Sequence, residues 1–340
     1  MNNSLLKQIL SEYEIKRKKA IIDAENRKKE LLEINPKIAE IDDELSKISI
    51  ESAKAVIVAP ENEKKKILQD LKKKSSSLIK EKNSILKELS KSTNFLDPYY
   101  DCKQCKDTGF IQKDGKNVMC ACLKQEIYNV AYNKSNMGNL ERENFSTFNL
   151  RLFSEKADKE RYKSEISPRE NMTLLREKAY NFIENFDDPN EKNLIFTGGT
   201  GLGKTFLTNC IANEILKQGK TVLSQTAPVM LDEILDEKFG KSNSGIDLLE
   251  NILNVDLLII DDLGTEKISE TKIEELFVII NTRLLNQNHK ITKTIISTNL
   301  TANELFSVYT TRIGSRLAGS YRFLRFFGED IRLKKGKKEL

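Results

Sequence analysis

The chain has 340 residues, no tryptophan, 31% charged residues and a formal net charge of +5. That length suffices for two or three domains, and the mild positive excess fits an anionic partner without identifying one. No run approaches the roughly 18 apolar residues that a membrane span needs, and the first residues lack the apolar core of a signal peptide. We therefore expect a cytoplasmic protein with no membrane partner, whose cysteines form no structural disulfides.

Residues 1–95 are rich in Lys, Glu, Ile, Leu and Ser and contain no glycine. Apolar residues recur there at helical spacing and would share one helical face, and Pro36 and Pro60 interrupt the pattern. We predict two or three long helices folded as a coiled-coil-like hairpin. Such an arm either packs only on itself or binds a partner, and we favour partner binding because little else in this zone covers its apolar stripe. The stripe consists of Ile38, Ile41, Leu45 and Ile48, then Leu71, Leu78 and Ile85.

Residues 96–128 carry four of the five cysteines among Pro, Gly and Asp residues typical of turns. Cys102 and Cys105 form a C-x-x-C pair, and Cys120 and Cys122 follow as a C-x-C pair after fourteen residues. In a reducing compartment this pattern predicts a Zn²⁺ site with four thiolate ligands. An iron–sulfur cluster and unligated buried thiols are the alternatives. A module this small has little apolar core, so metal would contribute most of its folding free energy. The remaining cysteine, Cys210, is predicted to lie in the core.

The next segment, 129–165, is a polar connector, and a helix is expected near residues 170–185. From about residue 190 onward apolar runs alternate with spans long enough for helices. The predicted strands are 193–198, 221–227, 256–262, 293–299 and 322–328. This alternation predicts an α/β domain with a parallel sheet over residues 166–340.

A glycine-rich segment, GGTGLGKT, follows the first of these strands and matches G-x-x-x-x-G-K-[ST]. Its glycines let backbone N–H groups point at phosphate oxygens, and the following helix adds its N-terminal dipole. Lys204 would reach the β- and γ-phosphates, and Thr205 would give its hydroxyl to Mg²⁺. The alternatives are a bare glycine turn and a dinucleotide fingerprint, which would need Gly or Ala at position 204. The predicted ATP-binding residues are Gly198, Gly199, Thr200, Gly201, Leu202, Gly203, Lys204, Thr205 and Phe206.

Two later strands end in polar residues. DLLIIDDLG ends a buried strand at Asp261, which would hold Mg²⁺, and Asp262, which would polarise the attacking water. The alternative is a strand that simply ends in an acidic turn. KTIISTN ends at Asn299, whose amide would hydrogen-bond the γ-phosphate or the water. Taken alone, Asn299 would be a strand-end cap. Because the other motifs are also present, we favour its role in contacting the γ-phosphate or the water.

Arginines complete the predicted site. Arg312 and Arg316 are four residues apart and share one helical face. An arginine offered to a neighbour's γ-phosphate would neutralise charge in the transition state, whereas surface arginines paired with acids are the alternative. Arg332, in GEDIRLKK, is a candidate for contacting phosphate within its own subunit.

These motifs, in this order, resemble those of AAA+ ATPases. Residues 100–335 more narrowly resemble the bacterial replicative helicase loaders of the DnaC/DnaI type within the IstB-like ATP-binding family. The segments GGTGLGKT, DDLG, STN and RIGSRL carry the resemblance, and a cysteine-bearing module ahead of the ATPase is similar to the DnaI-type member. The resemblance implies an AAA+ P-loop domain, with Asn299 as sensor 1, Arg316 as the arginine finger and Arg332 at the sensor 2 position.

The same resemblance implies a function. The chain would load a hexameric replicative helicase, engage single-stranded DNA and associate with itself through the ATPase domain, under control of ATP and Mg²⁺. Asp261–Asp262 stands where most AAA+ proteins carry Asp-Glu, so slow hydrolysis is expected. A transposition or phage replication helper ATPase is one alternative, and a non-catalytic nucleotide-binding adaptor is another. The predicted regions are a helical partner-binding region (1–95), a zinc module (96–128), a connector (129–165) and an ATPase domain (166–340).

Overall fold

The computed structural model describes residues 3–58, 60–131, 142–240, 247–286 and 290–335. The chain divides into two compact units, one of residues 10–111 and the other of residues 1–9 with 112–340. Part of the predicted connector, residues 132–141, lies outside the described residues. None of the helices in the described ranges is long and apolar enough to cross a membrane.

The helices precede, alternate with and follow the strands of the main sheet. The described α-helices are α1 (Asn3–Ile34), α2 (Lys37–Val58), α3 (Glu61–Glu88), α4 (Ala121–Ala131), α5 (Lys159–Tyr162), α6 (Pro168–Glu184), α7 (Lys204–Lys217), α8 (Ala227–Lys238), α9 (Leu248–Asn254), α10 (Glu270–Asn286), α11 (Ala302–Val308), α12 (Thr311–Ser320) and α13 (Ile331–Lys335).

A parallel sheet forms the centre of the larger unit. The strands are β1 (Phe110–Lys113) and β2 (Lys116–Met119), which pair with each other, and β3 (Asn193–Thr197), β4 (Val222–Thr226), β5 (Leu257–Leu263), β6 (Lys293–Thr298) and β7 (Tyr321–Arg325). The five-stranded sheet has the order β4-β5-β6-β3-β7, and its neighbouring strands are parallel. All five predicted strands are present, and the predicted α/β fold class is confirmed.

Apolar residues on both faces of the sheet explain why these runs form strands. Along β3 every residue is buried, as expected for a strand of a parallel sheet covered on both sides. Leu194 and Phe196 pack into a cluster with residues of α6 and α7. Ile195, between them, points to the other face and joins a cluster with residues of α8, α10 and α12. The helices therefore form a layer on each face of the sheet, the arrangement of a doubly wound α/β domain.

The helices α2 and α3 of the smaller unit form the predicted hairpin. The helix breaks fall at the two prolines, and Pro60 is the N-cap of α3, a position where its missing N–H costs little. Helix α2 begins just after Pro36. The apolar stripe is covered within the unit: Ile38 and Ile41 of α2 pack with Ile85 of α3 and with neighbouring leucines. The stripe is therefore not left uncovered, contrary to the prediction, because α3 and the end of α1 pack over it.

Exposed apolar side chains lie instead at the end of α2. Val56, Ile57 and Val58 are 52%, 82% and 78% exposed. We call these three consecutive residues, which precede α3, the hairpin tip. The other exposed isoleucines of the helical region are more widely spaced, at Ile15, Ile22, Ile34, Ile50, Ile67 and Ile79.

Candidate nucleotide-binding site

The glycine-rich loop joins the buried strand β3 to helix α7, as predicted. Two of its glycines have positive φ and lie where a Cβ would meet the segment that follows β7. Gly198 has φ +140°, and a Cβ there would lie 2.2 Å from the Phe326 carbonyl oxygen. Gly201 has φ +71°, and a Cβ would lie 1.9 Å from an Asp330 carboxylate oxygen. The segment after β7 therefore lies directly against the loop, and the glycines make that approach possible.

Hydrogen bonds hold the same segment in place. The Phe326 N–H donates to the Thr197 carbonyl oxygen at 2.7 Å, and the Ile331 N–H donates to the Gly201 carbonyl oxygen at 2.9 Å. The loop residues Gly199, Thr200, Leu202 and Gly203 complete the turn before α7. The contact residues Phe326 and Asp330 were not predicted as part of the site.

Lys204 is the first residue of α7 and is only 6% exposed. Its Nζ donates to the carbonyl oxygens of Gly198 at 2.6 Å and Gly199 at 2.8 Å, and to Asn299 Oδ1 at 2.8 Å. Burial lowers the pKa of Lys204, against the opposing effect of the nearby carboxylates of Asp262 and Asp261. The lysine and the predicted sensor asparagine are thus in direct contact, with the ammonium between the loop and the end of β6.

The predicted Mg²⁺ ligands also lie together. The Thr205 hydroxyl donates to Asp261 Oδ2 at 3.1 Å, so a hydroxyl and a carboxylate from two different elements meet at one point. Oxygen donors of this kind are what Mg²⁺ prefers, usually alongside waters and phosphate oxygens. The donor set therefore fits a magnesium ion that is shared with a nucleotide.

Asp262 lies at an irregularity in the sheet. The pairing of β5 with β6 shifts register between Ile260 and Leu263, and Asp262 has φ +52°, an uncommon backbone for a residue with a side chain. Such bulges often redirect side chains next to functional sites. Burial and the neighbouring Asp261 carboxylate raise the pKa of Asp262.

The geometry of the sheet explains why these groups converge. β5, β6 and β3 are neighbours, and their carboxyl ends carry Asp261 with Asp262, Asn299 and the glycine-rich loop in turn. In parallel α/β sheets the carboxyl ends of the strands are where ligands bind. The three motifs are far apart in the chain and come together because of strand order alone.

The predicted arginines differ in placement. The Arg332 N–H donates to Asp330 Oδ1 at 2.9 Å, and the positive charge of Arg332 acts to lower the pKa of both Lys204 and Asp262. Its guanidinium is thus within electrostatic reach of the site in the same chain. Arg316 is on α12, and its Nε donates to Asn281 Oδ1 at 2.9 Å. Within the described residues it forms no hydrogen bond or ion pair with the glycine-rich loop.

Arg312, on the same helix, lines a shallow groove between α10 and the start of α12. The groove is also lined by Ile273, Glu274, Phe277, Val278, Thr310 and Thr311. The structure therefore brings together Lys204, Thr205, Asp261 and Asn299, whereas both arginines of α12 lie next to residues of α10.

An aromatic segment before α6 also contacts the site. Phe148 packs edge-on against Phe206 with ring centroids 5.5 Å apart, and Phe153 Cζ would lie 3.4 Å from a Cβ at Gly203. Phe145 stacks on Tyr180 at 4.3 Å. Sequence analysis assigned this segment to the connector, and the frequent apolar residues in NFSTFNLRLF are the signal that could have placed it against the core.

The four cysteines of residues 102–122 form one cluster. Their sulfur atoms all lie within 4.8 Å of one another, and tetrahedral Zn–S bonds of about 2.3 Å would place the sulfurs about 3.8 Å apart. The boundary between the two units falls inside strand β1 of this same continuous segment. The Asp107 carboxylate accepts from the backbone N–H groups of Asp101 at 3.0 Å and Cys102 at 2.8 Å. A donor set of four thiols fits zinc.

The fifth cysteine, Cys210, is buried in the core as predicted, and burial raises the pKa of its thiol to about 12.

The fold and these contacts define a P-loop ATP-binding protein of the AAA+ class. The chain belongs to the IstB-like ATP-binding family, whose model matches residues 146–338, more than half of the chain.

Its relatives include a helicase loader and an ATP-binding protein of an insertion sequence. The chain is 32% identical over 186 residues to the replicative helicase loader DnaC of Escherichia coli (strain K12), a match that covers 52% of this chain and 73% of that protein. It is 29% identical over 114 residues to a protein of insertion sequence IS1162 from Pseudomonas fluorescens, covering 32% and 47%. The crystal structure of DnaI is 21% identical and covers 56% of this chain and 94% of that one, with a TM-score of 0.43.

Proposed function

We propose that this protein is an ATP-dependent loader of the replicative DNA helicase that acts in the initiation of DNA replication. The observation that carries the proposal is the 32% identity to DnaC across 73% of that protein. The contacts among Lys204, Thr205, Asp261 and Asn299 support it, because they supply the groups that a nucleotide-dependent switch needs.

The binding residues have separate roles in this proposal. Backbone N–H groups of residues 198–203 and the Lys204 ammonium hold the phosphates of ATP. Thr205 and Asp261 hold Mg²⁺, which when bound neutralises phosphate charge. Phe206 lies next to the loop and shapes the nucleotide pocket. Because Lys204 Nζ contacts Asn299 Oδ1, nucleotide that draws the ammonium towards phosphate would also free the asparagine, which couples the loop to the end of β6.

In this proposal, hydrolysis requires groups from two neighbouring subunits. Asp262 orients and polarises the attacking water, and its short side chain keeps turnover slow. Arg332 contacts phosphate within the same subunit, which its electrostatic reach to Lys204 supports. Arg316 acts on the nucleotide of a neighbouring subunit, so self-association through the ATPase domain, residues 166–340, completes the site. ATP binding then favours the assembly that grips single-stranded DNA, and hydrolysis releases the helicase.

The remaining regions bind and position the helicase. Residues 96–128 form a module in which Cys102, Cys105, Cys120 and Cys122 hold Zn²⁺. Residues 1–95 supply the main docking surface, for which the exposed tip at Val56, Ile57 and Val58 is the best candidate. Residues 129–165 connect these parts to the ATPase domain.

The test is capture of the purified hexameric helicase of the same organism by the full chain, followed by helicase loading onto circular single-stranded DNA. We expect capture and loading by the wild-type protein, and loss of capture for Ile57→Asp with Val58→Asp. Ile15→Asp is the matched control, because that isoleucine is 63% exposed on α1. Absence of both capture and loading by the wild-type chain would refute the proposal.

A transposition helper ATPase is the second candidate, and the match to the IS1162 protein favours it. The same capture experiment, run with a transposase encoded near the gene, separates the two. Binding of transposase without binding of helicase would establish the second candidate in place of the first.

A further inference from the structure

Helix α3 has a polar face that neither the nucleotide site nor the hairpin core uses. At about 100° per residue, a sector about 140° wide runs along the helix between residues 65 and 87. Its members are Lys65, Lys66, Gln69, Lys72, Lys73, Ser76, Ser77, Lys80, Asn83, Ser84 and Lys87. We call this sector the lysine face. It contains neither an acidic nor an apolar residue, although the chain as a whole is 31% charged with both signs well represented.

The lysine face points away from the packed side of the helix. Ile85 and Leu86, outside the sector, are 7% and 1% exposed and pack in the hairpin core. Lys72, Lys73 and Lys80 are exposed and line one shallow groove together with Gln69, Ser76 and Ser77. Ammonium groups and neutral hydrogen-bonding side chains thus alternate along one surface.

The lysines of the face differ from other lysines in the same unit. Lys82, outside the sector, pairs with Asp42 at 2.6 Å, and Lys74 approaches Glu44 at 4.0 Å. Within the described residues, no ion pair joins any lysine of the face to an acid. Between residues 65 and 87, two acids of α3 lie just beyond the edge of the sector. Glu81 pairs with Lys37, and within the described residues Asp70 forms no ion pair with a lysine of the face. The positive charge of the face is therefore not neutralised within the unit.

The composition indicates which partner would supply the negative charge. Protein interfaces bury an apolar centre and are depleted in lysine, and helices that bind a membrane surface expose an apolar face beside the basic one. The lysine face has no apolar residue. Ile85 and Leu86 of α3 are buried, and the exposed Ile67 and Ile79 lie outside the face about 120° apart, so they form no continuous apolar surface. Lysine with Ser, Asn and Gln is instead the set of side chains that contacts the phosphates and sugars of nucleic acids. From Lys65 to Lys87 the face is about 33 Å long at about 1.5 Å per residue, close to one turn of duplex DNA.

We propose that the lysine face of α3 binds the phosphate backbone of a nucleic acid, without reading its sequence. This surface is separate from the nucleotide site and needs no ATP, so it does not depend on the proposed helicase-loading function. It would give the N-terminal unit its own hold on the DNA.

The test is fluorescence anisotropy of the full chain with labelled single-stranded and duplex DNA of equal length, measured without nucleotide across a range of salt concentrations. The variant carries Lys72→Gln, Lys73→Gln and Lys80→Gln. The control carries Lys18→Gln, Lys47→Gln and Lys74→Gln, which removes the same charge from exposed lysines that face Glu14, Asp43 and Glu44.

We expect the face variant to bind DNA at least about tenfold more weakly than the control. The slope of log affinity against log salt should become shallower by about 2 to 3, since each phosphate contact contributes about 0.9 on duplex and about 0.7 on single strands. A larger change with one DNA form identifies that form as the partner. The same difference should persist when both sets are placed in a Lys204→Ala background, which separates this surface from any DNA binding that needs ATP.

Two results would overturn the proposal. One is equal affinity and equal salt slope for the face variant and the control. The other is competition by poly-glutamate as strong as that by an oligonucleotide of equal charge, because the face would then take an acidic polypeptide. Circular dichroism of both triple variants checks that the helices remain folded.

Discussion

The ATPase sheet and the cysteine segment hold their polar groups in opposite ways. In the sheet, apolar residues such as Leu194 and Phe196 are fully buried and fix the strands, so the polar groups at their ends add chemistry to a fold that stands without them. In residues 102–122 few large apolar side chains are buried, and the four thiols are themselves the centre. Removing a polar group should therefore cost activity in the first region and structure in the second.

The largest effect is expected from Lys204→Ala. The ammonium is the cation that contacts the glycine-rich loop directly, so ATP binding or hydrolysis should be abolished, while the thermal unfolding profile stays close to that of the wild type. A steady-state ATPase assay with nucleotide-binding measurements checks this. Lys217→Ala is the control, because that lysine lies at the exposed end of the same helix and pairs with Glu214. Wild-type turnover in folded Lys204→Ala protein would show that the site is assigned wrongly.

Arg316→Ala should come next, with near-normal ATP binding and hydrolysis lower by a factor on the order of 10³, the size seen for arginine fingers. The reason is geometric: Arg316 contacts Asn281 on α10 and not the glycine-rich loop of its own chain. Arg312→Ala, on the same helix face, is the control and should retain more activity.

Mixing variants sharpens this prediction. Arg316→Ala subunits keep an intact pocket, and Asp262→Ala subunits keep an intact arginine, so a mixed interface should regain activity that neither variant has alone. If mixed assemblies form and no activity returns, Arg316 does not act in trans.

The cysteine segment should give the converse result. Cys102→Ser should reduce bound zinc from about one ion per chain, the four-ligand expectation, to none, and should unfold the segment because metal contributes most of its folding free energy. ATP binding should be unchanged. Metal analysis and nucleotide titration measure the two effects. Cys210→Ala is the control and should keep the zinc, since Cys210 is buried on α7, the helix that follows the glycine-rich loop. Metal-free wild-type protein with an intact segment would contradict the prediction.

The difference between apolar residues that fix the fold and polar groups that supply chemistry also decides which features could be predicted from the sequence. Strands of continuous apolar residues, such as β3 and β5, are visible because burial on both faces leaves no polar alternation. The glycine-rich loop and the paired aspartates are visible because phosphate and metal chemistry require particular residues at short spacing. The confirmed helix breaks depend on Pro36 and Pro60, whose effect is local.

Contacts between distant segments could not be predicted in this way. The approach of Asp330 to Gly201 depends on how the chain leaves β7. Arg283 is only 1% exposed, and its guanidinium donates to the carbonyl oxygens of Ile252 at 2.6 Å and Val255 at 3.0 Å. A single arginine in a helix gives no sign that carbonyl groups elsewhere in the chain will surround it, so composition predicts a surface position. The cover of the hairpin stripe was missed for the same reason.

One buried polar pair tests whether polar groups of the ATPase domain can also contribute to its structure. Glu266 and Tyr309 are 7% and 3% exposed, and the Tyr309 hydroxyl donates to the Glu266 carboxylate. The same carboxylate accepts from the Gly264 N–H at 2.8 Å. It therefore links the loop after Asp262 to the residue at the end of helix α11, where a polar group contributes to structure inside an apolar domain.

Tyr309→Phe should destabilise the protein by about 1 to 3 kcal/mol, because the buried carboxylate loses a donor that water cannot replace.

Burial and the hydrogen bond to Glu266 raise the pKa of Tyr309 above its ordinary value of 10.0. The folded state therefore keeps the phenol proton to higher pH than the unfolded state does. The stabilisation is complete below pH 10.0 and is lost as pH rises above it. Urea unfolding should show that Tyr309→Phe is less stable near neutral pH and loses less stability above pH 10.0 than the wild type. The exposed Tyr99→Phe is the control and should change neither value. Equal unfolding midpoints for wild type and Tyr309→Phe at neutral pH would show that this pair, like the nucleotide-site groups, adds nothing to the fold.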